Sequence, residues 1–135
     1  MRVVLDSNVV VAAFASRGLC ASLFELCLLD HHIILGEDLL EEISRNLSKK
    51  IKLPRATIDE IVSLLKNHAE IAKPNKLSTE VSRDPDDDAI LGLAIATNTD
   101  CIITGDDDLL SLKEFQNIPI ISPRGFWELL KKVKR

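Results

Sequence analysis

Aromatic residues are scarce in this chain of 135 residues, which has no tyrosine, one tryptophan and four phenylalanines. Proteins that bind nucleic acid on an open stacking platform need several exposed aromatic rings, so the composition argues against that class. The chain also has no glycine-rich phosphate loop and no G-x-S-x-G motif. These absences argue against P-loop nucleotide binding and against a serine hydrolase of the α/β type.

Long apolar runs are absent as well, and none of the runs present could span a bilayer. The start of the chain, MRVVLDSN, lacks a signal-peptide pattern. The three cysteines, Cys20, Cys27 and Cys101, form no closely spaced metal-binding pair, and an odd number in apolar surroundings is typical of reduced, buried thiols. We therefore expect a cytoplasmic protein without a membrane segment.

Short β-branched runs alternate with segments of helical spacing along the chain. The predicted strands are 2–6, 32–35, 70–72, 101–104 and 118–121. The predicted helices are 20–31, 37–50, 54–69, 84–99 and 123–134, with one helical turn at 107–112. This alternation predicts a single domain over residues 1–135 with an α/β fold, in which a parallel sheet of about five strands is covered on both faces.

Acidic residues accumulate where these elements meet. Four aspartates fall within residues 84–88, and three more occupy 106–108, directly after the fourth strand. Asp6 ends the first strand, and Glu41 and Glu42 lie in the early turns of the helix after the second. In an open parallel sheet, the carboxyl ends of the strands and the starts of the following helices share one edge. Four separate segments should therefore bring carboxylates together.

Each acid alone has a simpler structural explanation, since Asp6, Asn8 or Asp84 could cap a helix and the other acids could lie favourably in a first helical turn. The convergence is harder to explain in this way. Two like charges about 4 Å apart repel by about 4 kcal/mol at an effective dielectric constant of 20. Three or four carboxylates together need partial protonation or a cation, and hard oxygen ligands indicate Mg²⁺ or Mn²⁺.

Four segments in order, VVLDSNVVVAAF, LLEEISRNL, RDPDDDAILGLAIA and IITGDDDLL, resemble the PIN domain family. The resemblance covers nearly the whole chain and favours the branch that contains toxins of toxin–antitoxin systems. It implies a Rossmann-like, three-layer α/β/α sandwich and a metal-dependent endoribonuclease. It further implies an RNA substrate, a cognate antitoxin protein as partner and a homodimer.

The resemblance also implies a set of site residues. The four catalytic, metal-binding acids would be Asp6, Glu42, Asp87 and Asp106. Asp108 is a further candidate ligand, and Asn8 and Thr104 would support the acids by hydrogen bonding. An ion held there, Mg²⁺ or Mn²⁺, would activate water for in-line attack on a phosphodiester.

Two of these assignments are choices among neighbours. The family spacing favours Glu42, which precedes an apolar residue, over the adjacent Glu41. It favours Asp87 because Ile90 and Ala94 follow at the expected distances. The alternatives to Asp87 are Asp84, Asp86 and Asp88. The choice between Asp106 and Asp108 as direct ligand also stays open, as does the number of ions.

A net charge of −4 means that the overall field of the protein does not attract RNA. A local basic cluster could do so, and its predicted RNA-binding residues are Arg45, Lys49, Lys50 and Lys52. The alternative is that these side chains only complement the carboxyl end of a helix.

Two other classes of protein stay open. A catalytically silent PIN-like module would bind RNA or a protein without cutting, although a full set of acids argues against it. A phosphoacceptor receiver domain has a similar sheet, but it needs an aspartate after its third strand and a lysine after its fifth. This chain has KPN and SPR at those places.

Overall fold

The computed structural model describes residues 1–77 and 85–133, within which six strands form one sheet. The strands are β1 (Arg2–Leu5), β2 (His32–Gly36), β3 (Glu70–Ala72), β4 (Cys101–Ile103), β5 (Glu114–Phe115) and β6 (Ile118–Ile121). Their order is β3-β2-β1-β4-β6-β5, and only the pairing of β5 with β6 is antiparallel among those described. The five predicted parallel strands are confirmed.

Helices connect the strands and cover the sheet. They are α1 (Ser7–Ala15), α2 (Leu19–Asp30), α3 (Glu37–Lys49), α4 (Arg55–His68), α5 (Pro85–Ala96), α6 (Asp107–Leu110) and α7 (Pro123–Val133). Helix α1 packs against α2 and α3, and α3 packs against α4. Helix α7 packs against α2, and α5 packs against β1 and β2. Strands β1 to β3 are added toward one side of the sheet, and β4 is added on the other side of β1. Right-handed crossovers therefore place α5 on the face of the sheet opposite to α1–α4. The predicted α/β/α sandwich is confirmed.

Helix α1 is an element that the sequence pattern did not predict. Its Val9, Val10 and Val11 are β-branched residues, which favour strands in isolation. All three are buried, and the Asp6 side chain accepts a hydrogen bond from the Ser7 backbone N–H at the start of the helix. Most helical stability in a protein comes from packing of the buried face, and packing here overrides local propensity.

Strand β5 is a second element that the sequence pattern did not predict. Phe115 pairs with Ile118, so only Gln116 and Asn117 form the loop between β5 and β6. Both loop residues have positive φ, 48° and 69°, as a two-residue type I′ hairpin requires. Asn-Gly or Asp-Gly is the usual signal for this turn, and Gln-Asn lacks the glycine.

The predicted cap Asp84 lies outside the described residues.

The core lies between the two helical layers, where β1, β2 and β4 contribute almost completely buried side chains. In the described ranges no single helix is long and apolar enough to cross a membrane. Helices α1 and α2 reach the required length and composition only as a pair, bent by 110° at the break between them.

Candidate active site

The register of the central strands brings Asp6 and Thr104 together at the carboxyl edge of the sheet. Strands β1 and β4 pair in parallel with Leu5 opposite Ile103, and the Asp6 backbone N–H donates to the Ile103 carbonyl over 2.9 Å. The buried Thr104 hydroxyl donates to Asp6 Oδ2 over 2.7 Å and accepts from the Asp106 backbone N–H over 3.0 Å. One hydroxyl thus connects two of the predicted site acids.

Asn8 forms a second connection across the same edge. Its Nδ2 donates to Asp6 Oδ2 over 3.2 Å, and its Oδ1 accepts from the Gly105 backbone N–H over 3.1 Å. The Asp6 Oδ1 atom accepts from the Ser7 backbone N–H over 2.7 Å. Asp6 therefore both caps α1 and holds a position beside the loop after β4, so the two interpretations of this residue are compatible.

The predicted acids line one groove of about 490 Å³ at this edge. Its carboxylates come from the end of β1, from α3, from the first turn of α5 and from the loop after β4: Asp6, Glu42, Asp86, Asp87 and Asp106. Asp6 and Asp87 are nearly buried, with 5% and 4% of their surface exposed. The structure thus brings the four predicted catalytic acids together. Glu41 lines an adjacent cavity instead of this groove.

Asp87, Asp106 and Asp108 each offer a carboxylate oxygen, and these oxygens lie within 4.8 Å of one another. Oxygen ligands bind Mg²⁺ or Ca²⁺ at about 2.0–2.6 Å, so oxygens about 4–5 Å apart can share one ion. The set consists only of hard oxygen donors, which suits Mg²⁺ or Mn²⁺. The chemistry and spacing of these residues therefore fit a divalent cation.

The electrostatics of the groove also favour a cation. Burial raises the pKa of Asp6 above its ordinary value, and the charge of Asp106 raises it further, whereas hydrogen bonds from Thr104 and Ser7 lower it. Burial likewise raises the pKa of Glu42, with smaller contributions from Asp6 and Asp86. A hydrogen bond from Ser7 and the charge of Arg45 act in the opposite direction on Glu42. The raised pKa means that ionisation of both acids is less favourable than in water, and a bound cation would favour their ionised form.

One stripe along α3 and its C-cap residue lines the groove at helical spacing: Glu42, Asn46 and Lys50. Asn46 and the buried Ser7 are lining residues that the sequence interpretation missed, although spacing of four from Glu42 would have found Asn46. Of the predicted RNA-binding residues, only Lys50 lies in this groove. Arg45 lines the adjacent cavity, whereas Lys49 and Lys52 are exposed and line neither of the two.

Comparisons with known proteins bear on the family and the fold of this chain. A family model described as the PIN domain matches residues 2–108, which include the site acids from Asp6 to Asp108. Among solved structures, VapBC2 from Rickettsia felis, crystallised with a DNA fragment from its promoter, has a similar fold with a TM-score of 0.61. The match covers 90% of this chain and 98% of that chain at 17% sequence identity, so it supports the fold alone. No curated protein sequence matches.

Proposed function

We propose that this chain, which belongs to the PIN domain family, is a metal-dependent ribonuclease that hydrolyses phosphodiester bonds. The observation that carries the proposal is the meeting of carboxylates from four separate segments in one groove. A purely structural role would not need buried acids whose pKa is raised, because like charges held together cost stability. A cation-dependent reaction on a phosphate would explain why these acids are held together.

The chain's own residues have distinct roles in this proposal. Asp87, Asp106 and Asp108 would hold Mg²⁺ or Mn²⁺, together with Asp6 and Glu42 on the same groove. The bound ion would supply charge stabilisation on the phosphate and activation of water. Thr104, Asn8 and Ser7 keep the carboxylates oriented through their hydrogen bonds.

Substrate contact would depend on the few cations that face the groove. Lys50 lies in the groove and would bind a phosphate of the RNA backbone. An overall net charge of −4 leaves local contacts of this kind as the means of attraction. Few aromatic side chains are available for stacking, so we infer recognition through phosphates and a small number of base contacts.

We also propose that the protein is the toxin of a toxin–antitoxin pair, acts in the cytoplasm and forms a homodimer. Support comes from the motif resemblance described above and from the fold shared with VapBC2, a toxin–antitoxin complex. An antitoxin segment with an arginine or lysine would neutralise the groove in place of the metal ion.

The test is cleavage of a generic single-stranded RNA with Mg²⁺, with Mn²⁺ and with EDTA. We expect cleavage only with a divalent ion and its loss in Asp6→Asn. Asp59→Asn is the matched control, because Asp59 is an exposed aspartate that pairs with Arg55 on α4 and does not line the groove. RNA binding without cleavage under every metal condition would instead indicate a catalytically silent module.

A further inference from the structure

A second, smaller cavity adjoins the groove and is not used by the proposed reaction. We call it the base cavity; it measures about 190 Å³. Glu42, Asp86 and Ile90 line both spaces, so these residues form the wall between them. A nucleotide whose phosphate occupies the groove could therefore direct its base over this wall without a further conformational step.

Buried apolar side chains form one part of the lining of the base cavity, and charged side chains form another. Leu39, Ile90 and Leu93 form its floor, and Pro74 closes one side. Pro74 is held there because the following Asn75 donates its backbone N–H to the Gly92 carbonyl over 3.0 Å. A Cβ at Gly92 would collide with the Asn75 carbonyl oxygen, so glycine permits this close approach.

The volume selects a small planar ligand. A protein cavity of about 150 Å³ is large enough for benzene, whereas pockets for drug-sized ligands measure about 300–1,000 Å³. At about 190 Å³, the base cavity suits one six-membered heterocycle. A pyrimidine ring fits this size better than a two-ring purine.

The charges on the rim select the pattern of hydrogen bonding. Asp38 and Glu41 place carboxylates at the rim, and Arg45 places a guanidinium there. The carboxylates would repel a phosphate but accept hydrogen bonds from an amino group. Cytosine offers its N4 amino group to acidic side chains, as aspartate and glutamate recognise it in nucleic-acid complexes. Its ring N3 and O2 are acceptors that match the donors of Arg45, whereas the O4 of uracil would meet a carboxylate.

We propose that the base cavity binds the cytosine of a nucleotide beside the scissile phosphate, and that the protein therefore prefers cytosine at one position next to the cut. Glu41 and Asp38 accept from N4, Arg45 donates to N3 and O2, and the apolar floor contacts the ring itself. The cleavage part of this inference rests on the proposed function, but the binding part does not.

Binding is measured first, in EDTA and at low salt, with fluorescently labelled oligocytidylate and oligouridylate. We expect the native chain to bind oligocytidylate about tenfold more tightly, which is within the discrimination of one good base contact. Glu41→Gln should remove most of this difference. Glu37→Gln removes the same charge from the same helix, but Glu37 does not line the base cavity, and it should preserve the preference.

Cleavage is measured next, on a random-sequence RNA pool with Mn²⁺, by sequencing the new ends. We expect cytosine to be enriched at one position beside the cut and Glu41→Gln to flatten that enrichment. Equal affinity for the two oligonucleotides, including no binding of either, overturns the inference, as does a preference for another base. Either result would instead favour a basic side chain of a protein partner as the occupant of the base cavity. A preference in binding without any cleavage supports the base cavity while contradicting the ribonuclease proposal.

Discussion

The pKa values of carboxylates shift in opposite directions at the two ends of the parallel strands. At the amino edge, Glu70 lies 3.2 Å from Arg2 Nη2 and 3.0 Å from His32 Nε2, and the Arg2 backbone N–H donates to Asp100. A hydrogen bond with His32 is the main reason that the pKa of Glu70 is lowered. At the carboxyl edge, burial raises the pKa of Asp6 and Glu42.

We infer from this difference that the acids of the amino edge serve the fold and those of the carboxyl edge serve the proposed reaction. At the amino edge, Glu70 has the Arg2 guanidinium as a cationic partner within the chain, so its charge is compatible with folding. At the carboxyl edge, Asp6 accepts hydrogen bonds from the Thr104 hydroxyl, the Asn8 amide and the Ser7 backbone N–H, which orient it without adding a positive charge. Five carboxylates and one lysine line the groove, so we infer that a bound cation supplies further positive charge there.

The largest effect should come from Glu42. Replacing it with glutamine keeps its size but removes a groove carboxylate, and we expect cleavage to fall by about 100-fold or more, because even outer residues of metal sites contribute about 10–100-fold. Glu37→Gln should retain the native rate. Glu41→Gln should lose far less, mainly on cytosine-rich RNA. If Glu41→Gln loses as much as Glu42→Gln, the assignment of the helix acid is wrong by one residue.

A smaller effect is expected from Lys50, which gives the carboxyl edge a cation that faces the groove. Lys50→Gln should weaken RNA binding severalfold and reduce the salt dependence of log K by about one phosphate contact. Lys49→Gln is the matched comparison, since Lys49 neighbours it on α3 but is exposed and lies outside the groove lining. Binding is titrated at several salt concentrations. Equal losses from both variants would mean that the cluster acts through its general field.

Removing one charge from the carboxyl edge should stabilise the metal-free protein. Asp87→Asn relieves repulsion with Asp106 and Asp108, whose oxygens lie within 4.8 Å of it. We expect the melting temperature in EDTA to rise by several degrees, as about 1 kcal/mol produces in a domain of this size. Loss of a favourable charge in the first turn of α5, worth about 0.3–1 kcal/mol, opposes part of this gain.

The same variant should respond less to metal. In the native chain, stabilisation by Mn²⁺ grows as RT ln(1 + [L]/Kd). Melting curves over a Mn²⁺ series check this for the native chain and for Asp87→Asn. If Asp87→Asn melts lower in EDTA and still gains the full Mn²⁺ shift, the side chain serves the helix start and binds no ion.

The smallest effect is in the pH dependence of melting without metal. Asp6 and Glu42 have a raised pKa in the folded state, so the fold binds their protons more tightly and gains stability as the pH falls from neutral toward their ordinary values, 3.8 and 4.5. Glu70 has a lowered pKa, so its contribution is present above 4.5 and is lost as the pH falls further.

Two variants separate these slopes. Glu42→Gln should flatten the rise in melting temperature on mild acidification, and Glu70→Gln should flatten the fall below pH 4.5. Exposed ion pairs contribute about 0–1 kcal/mol, so the second change should be small. Identical pH profiles for the native chain and both variants would contradict the contrast between the two edges.

Much of the fold could be predicted from local pattern, because a parallel sheet buries strands that are nearly continuous apolar runs and amphipathic spacing marks the helices. The segments 101–104 and 118–121 show this clearly. Helix α1 and strand β5 could not be predicted in this way. Helix α1 forms because the fold buries its three valines, and β5 forms through a two-residue turn that lacks the usual glycine.

The sequence by itself determined which segments would deliver acids to one edge of the sheet, because strand ends and helix starts follow from local pattern and their common edge follows from parallel pairing. Only the tertiary structure decided which acids share the groove. Glu42 and Glu41 are adjacent in sequence, but successive helical residues point about 100° apart. Glu42 therefore lines both the groove and the base cavity, whereas Glu41 lines only the second of these two spaces. Residues of both α3 and α5 line each of these two spaces, and the proximity of segments this distant in the chain leaves no local signal.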